Sequence, residues 1–293
     1  MVPILLALSL SAAPAPPPNV VLVTVDALRA DRLGAYGYPK NMTPHLDQFA
    51  AGALLFEDAV CEEPQTGPSM CAMLSSRVPR TTGSIRNSVP LPAEVPTVPQ
   101  SFEAGGYYTA AVVSNWNLKG PLSGLDRGFA HYDDDFGKTR WGRPKPEMDA
   151  EEVTDRALEV LKQRDAAKPL FFWVHYMDPH GTYRHHAEFD PDKTPLRTRG
   201  LVEQVRARYD TEVAYTDHYL ARLFAALPPE NTYLLFTADH GESLHEHNYV
   251  GHTRRVHQTT MHIPLLMQGP GIAPGRSALP ARGIDIAPTL LGF

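Results

Sequence analysis

The sequence predicts an α/β fold with a mostly parallel central sheet sandwiched by helices. Short apolar and β-branched segments alternate along the chain with segments of helical periodicity, which is the order expected when helices connect parallel strands. Two of the apolar segments end in an acidic residue, Asp26 and Asp239. With 293 residues the chain is long enough to bury a large core as one domain.

Four segments have the composition of buried strands, and five have the periodicity of helices. The predicted strands are 20–25, 108–113, 170–176 and 233–237. The predicted helices are 43–51, 68–76, 151–164, 201–226 and 284–291. The stretches 120–149 and 181–199 are rich in Gly, Pro and charge, and we expect long loops there, either walls of an active site or ordinary surface excursions.

Residues 1–18 have the pattern of a signal peptide followed by a Pro-rich leader. An apolar run over residues 4–8 precedes several small residues, as in signals cleaved on export. The run is too short to span a bilayer. We therefore expect an exported protein, periplasmic or secreted, whose domain occupies residues 19–293. The chain has two cysteines, Cys61 and Cys71, and the sequence leaves open whether they pair.

The charge balance excludes some classes of partner. Lys and Arg number 27 and Asp and Glu number 33, so the formal net charge is −6. Because no basic stripe is present, we expect neither nucleic acid nor an anionic membrane surface as a partner. An anionic substrate would need a local positive centre, and a bound metal ion would supply one.

Asp26, Asp239 and His240 are candidate metal ligands because each directly follows a predicted buried strand. The carboxyl ends of parallel strands lie at the edge where α/β sheets bind ligands, so these side chains could surround one ion. The alternative is that each acid caps a helix or closes a turn.

Thr66 is a candidate nucleophile. It lies just before Pro68, and proline suits the first position of a helix. Free N–H groups and the dipole at a helix N-terminus favour an anion, and a hydroxyl beside a metal ion can be activated for attack. Taken alone, Thr66 could equally be an N-cap. His180 and His252 follow predicted strand ends and are candidates for catalysis, although a single histidine can also be an ordinary buried polar residue.

Six short motifs resemble those of the sulfatase family of the alkaline-phosphatase superfamily, in the same order along the chain. They are residues 19–31, 43–47, 66–69, 178–180, 239–242 and 285–290. The resemblance implies an alkaline-phosphatase-like fold and a metal ion held by Asp26, Thr66, Asp239 and His240. It implies that Thr66 attacks a sulfate or phosphate ester in line. It also implies that His180 and His252 bind the anion or protonate the leaving oxygen, and that Asn115 binds substrate.

The departures from the family pattern concern the nucleophile. Sulfatases carry a Cys or Ser that is converted to formylglycine in a Cys-x-Pro-x-Arg motif, whereas this chain has Thr66 at the first position and Met70 at the last. The family's Lys-Trp-His is replaced by Asn115, Trp116 and Asn117. Since threonine cannot become that aldehyde, we expect no formylglycine and a different reaction cycle.

The metal ligands depart from the pattern as well. Ala27 stands at the second Asp of the usual pair, and His240 stands at the usual Asn. Fewer carboxylates and an imidazole favour Zn²⁺ or Mn²⁺ over Ca²⁺, which stays an alternative. These changes resemble the phosphodiesterase and phosphonate hydrolase branches of the superfamily. The family's usual C-terminal subdomain is expected to be absent, or the sequence to be truncated.

The predicted function is therefore metal-dependent hydrolysis of a small-molecule or glycan ester of phosphate or sulfate, with phosphoester or phosphonate cleavage favoured. Two alternatives stay open. One is a non-catalytic protein that binds an anion or glycan, because the family's Arg and Lys positions have changed. The other is a soluble transferase that passes the group on Thr66 to an alcohol.

Overall fold

An eight-stranded sheet forms the middle layer of the fold in the computed structural model, which describes residues 16–138, 143 and 145–293. The strands of the described residues, in chain order, are β1 (Asn19–Val25), β2 (Leu54–Phe56), β3 (Ala59–Val60), β4 (Tyr108–Val113), β5 (His131–Asp133), β6 (Leu170–Tyr176), β7 (Thr232–Ala238), β8 (Ser243–Leu244), β9 (Val250–Gly251), β10 (Leu265–Gln268), β11 (Gly275–Ser277) and β12 (Ala281–Arg282). Of these, β3 pairs with β12 and β8 pairs with β9 in two small separate sheets, and the other eight form the main sheet. The predicted signal peptide, except for its last Pro-rich residues, lies outside the described residues.

The helices are α1 (Pro44–Ala51), α2 (Thr66–Ser75), α3 (Pro79–Thr82), α4 (Val98–Ala104), α5 (Gly120–Ser123), α6 (Ala150–Gln163), α7 (Leu201–Ala226), α8 (Gln258–Met261) and α9 (Ile286–Gly292). Helix α7 packs against α1 and α6, while α9 packs against α2 and α4. In the part of the chain that the structure describes, no helix combines the length and apolar character needed to cross a membrane.

The sheet order is β11-β2-β10-β7-β1-β6-β4-β5, and the five strands from β7 to β5 are parallel. Strand β10 runs antiparallel to both β7 and β2. The predicted mostly parallel sheet is confirmed. Strand β1 lies between β6 and β7, so the segments that follow these three strands emerge at one edge. Both β1 and β6 are almost entirely buried, as expected for parallel strands covered on both faces.

Two local predictions need correction. Helix α2 begins at Thr66, two residues before the predicted start at Pro68. Pro68 is compatible with this third position, because the N–H groups of the first turn have no partner within the helix and a proline there loses no helical hydrogen bond. The stretch 120–149 is not simply a loop, since it contains α5 and the edge strand β5, which pairs with β4.

Cys61 and Cys71 are both buried with free thiols. Burial raises the pKa of Cys71 to about 12 and raises that of Cys61 well above its ordinary value. Both thiols are therefore protonated at neutral pH, and neither has the thiolate character of a reactive cysteine.

Two buried acids of α7 stabilise the fold instead of facing the strand ends. Asp210 forms ion pairs with Arg32, at 3.1 Å, and Lys40, at 2.9 Å. Asp217 accepts hydrogen bonds from the backbone N–H groups of His45, at 3.1 Å, and Leu46, at 2.7 Å. These N–H groups belong to the first turn of α1 and have no acceptor within that helix, so Asp217 serves as a cap supplied from another helix.

We expect Asp217→Ala to lower the free energy of unfolding by about 1–3 kcal/mol, because it removes the acceptor of both N–H groups and leaves the buried N–H of Leu46 unsatisfied. Urea unfolding followed by circular dichroism measures this loss. Asp155→Ala is the control, since Asp155 only forms an exposed ion pair with Arg222 and should cost at most about 1 kcal/mol. Equal losses in the two variants would contradict the capping role.

Candidate active site

Three buried side chains meet at the carboxyl edge of the sheet. Asp26 follows β1, and Asp239 and His240 follow β7. The last paired residues of the two strands, Val25 and Ala238, lie opposite each other, so the next residues emerge at the same level. One ligand atom from each of the three side chains lies within 4.8 Å of the others, and all three residues are fully buried. The structure thus brings together the side chains that the sequence predicted as a cluster.

Each carboxylate in this cluster has one satisfied oxygen and one that is bare among the described residues. Asp26 Oδ2 accepts from Asn115 Nδ2, at 2.5 Å, and from Thr66 Oγ1, at 3.3 Å, while Oδ1 has no partner there. Asp239 Oδ1 accepts from the backbone N–H groups of Ala27, at 3.0 Å, and His240, at 2.8 Å, while Oδ2 has none in the same part of the chain. A buried carboxylate oxygen without a partner is costly. A divalent cation would satisfy both bare oxygens, so the residues fit a metal ion.

His240 offers a lone pair to the same place. Its Nδ1 lies 2.9 Å from the carbonyl oxygen of Gly241. Because a carbonyl only accepts, Nδ1 carries the proton and Nε2 is free to act as a ligand. Nε2 lies 3.4 Å from the bare oxygen of Asp239 and 3.7 Å from that of Asp26. Burial lowers the pKa of His240 to about 3, so the ring is neutral at physiological pH.

The two carboxylates differ in the direction of their pKa shifts. Burial and the facing carboxylate of Asp26 raise the pKa of Asp239 well above its usual range. Burial acts in the same direction on Asp26, but the imidazoles of His180, His175 and His240 outweigh it and hold the pKa of Asp26 well below its usual range. Two buried acids this close cannot both ionise cheaply, and a cation between them would remove the conflict.

Thr66 is the first residue of α2 and is buried against this cluster. Its Oγ1 lies 3.3 Å from Asp26 Oδ2 and 3.4 Å from His240 Nε2. The hydroxyl predicted to be the nucleophile therefore contacts two of the three predicted metal ligands.

Two N–H groups of the first turn of α2, those of Gly67 and Ser69, are not free, contrary to the expectation from the sequence. Gly67 N–H donates to Asn87 Oδ1 at 2.8 Å, and Ser69 N–H donates to the carbonyl oxygen of Gln65 at 3.0 Å. Pro68 has no N–H. The turn that carries Asn87 lies against the start of the helix and takes up this donor. These hydrogen bonds do not affect the helix dipole, which still favours an anion at this end of α2.

Asn115 adds an amide donor between Thr66 and the carboxylate of Asp26. Its Oδ1 accepts from the backbone N–H of Asn117 at 2.8 Å and from the side chain of Asn117 at 3.2 Å, which fixes the orientation of the amide. Its Nδ2 then faces Asp26 Oδ2 and Thr66 Oγ1, the latter at 3.3 Å. Asn115 is in the site as expected, and its binding of substrate stays a prediction.

His180 and His252 line the site beside His240. The ring centroids of His252 and His240 are 4.3 Å apart, and those of His252 and His180 are 5.0 Å apart. His252 Nδ1 lies 3.2 Å from Glu242 Oε1, and His180 Nδ1 lies 2.7 Å from the carbonyl oxygen of Gly181. Burial favours the neutral form of His252, but the carboxylate of Glu242 outweighs it and raises the pKa. The contact with Glu242 thus favours the protonated form of His252.

Two further residues belong to the site although the sequence pattern did not indicate them. His175, fully buried in β6, places its Nε2 3.3 Å from Asp26 Oδ2. Glu242 is buried and contacts His252. His175 could have been found from the sequence, since it is a histidine inside a strand that is otherwise apolar or aromatic. A buried imidazole needs a polar partner, so such a residue points to a polar group nearby.

The stretch 120–149 ends beside the site, since Glu147 pairs with Asn115 in an isolated bridge. The second predicted wall, 181–199, begins directly after His180. Its Asp190 is held by His185, at 2.7 Å, and Arg199, at 2.8 Å.

A family model described as Sulfatase matches residues 18–293. An ulvan-active sulfatase from Formosa agariphila is 27% identical, with 94% of this chain and 61% of that protein covered. The human iduronate 2-sulfatase is also 27% identical, with 94% of this chain and 63% of that protein covered. The chain thus spans about three fifths of the length of these relatives. The crystal structure of a phosphonate monoester hydrolase from Agrobacterium radiobacter superposes with a TM-score of 0.75 at 19% identity, over 94% of this chain and 73% of that one, and shares the fold.

Proposed function

The chain belongs to the sulfatase family, and from that premise we propose that it is a metal-dependent hydrolase of sulfate or phosphate esters in which Thr66 is the nucleophile. The observation that carries the proposal is the position of Thr66 Oγ1, which contacts Asp26 and His240 within 3.4 Å at the start of α2. A small-molecule or glycan ester is the proposed substrate. As predicted from the leader, the protein would meet it outside the cytoplasm.

The ion would be held by Asp26, Asp239 and His240, with Thr66 as a fourth donor. Two carboxylates and one imidazole form a mixed oxygen and nitrogen set that favours Zn²⁺ or Mn²⁺, with Ca²⁺ as the alternative. When bound, the ion supplies positive charge that stabilises the transferred group and favours the ionised form of a neighbouring hydroxyl.

The first half of the proposed reaction uses Thr66 and one histidine. Thr66 Oγ1 forms a bond to the phosphorus or sulfur of the ester, and the bond from that atom to the leaving oxygen breaks. The Thr66 hydroxyl reacts in its ionised form, having released its proton to bulk water. His180 or His252 then gives a separate proton to the leaving oxygen, so an alcohol departs. The raised pKa of His252 suits it to donate this proton.

The second half releases the group from Thr66. A water molecule attacks the phosphorus or sulfur atom, the bond to Oγ1 breaks and leaves Oγ1 ionised as at the start, and one proton of the water returns to the histidine. The net change is one ester bond cleaved by one water molecule. Because Thr66 carries one hydroxyl and cannot form an aldehyde hydrate, release must occur by this attack at the central atom.

We favour phosphate or phosphonate esters, including diesters, over sulfate esters. Met70, at the position of the family's arginine, is fully buried in α2 and brings no charge. The site therefore lacks a cation that serves formylglycine in sulfatases. The fold shared with the phosphonate monoester hydrolase is compatible with this preference, although at 19% identity it speaks for the fold alone.

The test is nitrophenol release, side by side, from a phosphate monoester, a phosphate diester, a phosphonate monoester and a sulfate ester, each with Zn²⁺, Mn²⁺ or Ca²⁺. We expect a phosphorus ester to be cleaved faster than the sulfate ester by at least about tenfold, or ~1.4 kcal/mol of transition-state free energy. Fastest cleavage of the sulfate ester would overturn the preference. Saturable binding of an anionic glycan without any cleavage would support the binding protein, and transfer to an added alcohol would support the transferase.

A further inference from the structure

A buried chain of hydrogen bonds runs from the core of the sheet to Asp26. Trp173 Nε1 lies 2.9 Å from Thr24 Oγ1, and Thr24 Oγ1 lies 2.8 Å from His175 Nδ1. His175 Nε2 in turn lies 3.3 Å from Asp26 Oδ2. All four residues are 0% exposed. Water therefore cannot substitute for any of these partners without entering the core.

The strand register creates this chain. Thr24 of β1 and His175 of β6 are direct partners across the parallel pair, and Leu22 is the partner of Trp173. Because side chains alternate along a strand, Trp173 and His175 lie on the same face of β6, and Thr24 reaches both from the neighbouring strand. Asp26 is two residues beyond Thr24 and lies on the same side of β1.

The two ends of the chain determine the direction of every hydrogen bond. An indole N–H can only donate, so Thr24 Oγ1 accepts from Trp173. An ionised carboxylate can only accept, so His175 Nε2 donates to Asp26. The one hydrogen of the Thr24 hydroxyl then has His175 Nδ1 as its acceptor, and a proton on Nδ1 would leave that hydrogen unpaired in the core. The arrangement selects the neutral tautomer with the proton on Nε2.

We propose that His175 is a positioning residue for Asp26: Trp173 and Thr24 hold it in the Nε2–H tautomer, and its donation to Oδ2 leaves Oδ1 for the cation. His175 and Asn115 then bind the same oxygen from different elements. Their combined effect is that the carboxylate presents Oδ1 toward Asp239 and His240. The inference rests on the metal site of the proposed function, and does not depend on turnover.

The first experiment measures metal affinity, by titration calorimetry of the metal-free protein with Zn²⁺, Mn²⁺ and Ca²⁺ separately. We expect His175→Leu to weaken binding of the ion that the wild type prefers by about 10- to 100-fold, the range for groups that orient a ligand. His175→Gln should bind within about threefold of the wild type, because the glutamine amide can donate from nearly the position of Nε2. Equal affinity of the Leu variant and the wild type would overturn the inference alone. Absence of binding by the wild type would overturn both it and the metal-dependent function.

The second experiment determines the tautomer of His175 directly in the metal-free wild type. This main measurement therefore does not depend on whether any variant folds. Long-range correlation of the imidazole protons with ¹⁵N distinguishes the two nitrogens, and His175→Gln assigns the signals. We expect protonated Nε2 and unprotonated Nδ1 in the wild type and in Thr24→Ser, which keeps the hydroxyl. In Thr24→Val the Nδ1–H form should become populated and metal affinity should fall. An Nδ1–H tautomer in the wild type would contradict the proposal.

Discussion

Replacing Thr66 by alanine is expected to lower kcat by roughly 10³- to 10⁶-fold, the range observed when a covalent nucleophile is removed. The reason is that no other hydroxyl of the site contacts Asp26 and His240 as Thr66 does. The measurement is the initial rate of nitrophenol release from the best phosphorus ester, with metal content determined on the same samples.

Two control variants separate the chemistry of Thr66 from its packing. Thr66→Ser keeps the hydroxyl and should stay within about tenfold of the wild type. Thr81→Ala removes an exposed hydroxyl that contacts only the carbonyl oxygen of Val78 and should have no effect. Turnover unchanged in Thr66→Ala with metal still bound would reject Thr66 as nucleophile. Mass spectrometry of the quenched wild type should also find a phosphoryl group on the peptide that contains Thr66.

Replacing Asp239 by asparagine is expected to move metal affinity and stability in opposite directions. Metal binding and activity should fall by at least about 10²-fold, because the bare Oδ2 becomes a weak ligand or an N–H donor. The metal-free protein should gain about 1–3 kcal/mol in its free energy of unfolding, because a neutral amide ends the conflict with Asp26 and still accepts the two backbone N–H groups at Oδ1.

Urea unfolding with and without a chelator measures both effects of Asp239→Asn. The chelator should destabilise the wild type, which loses its bound ion, and leave the variant unchanged. Asp285→Asn is the matched control, because Asp285 is exposed and accepts one backbone N–H, from Arg282, which asparagine can still receive. A metal-free variant less stable than the wild type would show that the carboxylates of Asp26 and Asp239 do not destabilise each other in the absence of an ion.

The sequence was sufficient to predict that Asp26, Asp239 and His240 would come together at the sheet edge. Asp26 and Asp239 each follow an apolar strand, and parallel strands present their carboxyl ends at one edge. The four strands predicted were the central ones, β1, β4, β6 and β7. The shorter strands of the sheet, β2, β5, β10 and β11, were missed, because three or four residues carry too little pattern and their pairing depends on distant segments.

The start of α2 shows where local signals are ambiguous. Pro68 suits the first position of a helix, but it is also compatible with the third, and the structure uses the third. The turn that carries Asn87 then occupies the donor of Gly67, so a property expected of the helix terminus was changed by a segment 20 positions away in the chain.

His175 marks the boundary between what the sequence determines and what the tertiary structure decides. The sequence by itself determined the fold class and the chemical identity of the candidate metal donors, because both follow from local patterns of apolar and acidic residues. Only the folded chain decided which oxygen of each carboxylate is bare and which nitrogen of His175 carries the proton. Those choices depend largely on hydrogen bonds between residues 40 to 212 positions apart, and a partner that far along the chain leaves no local trace.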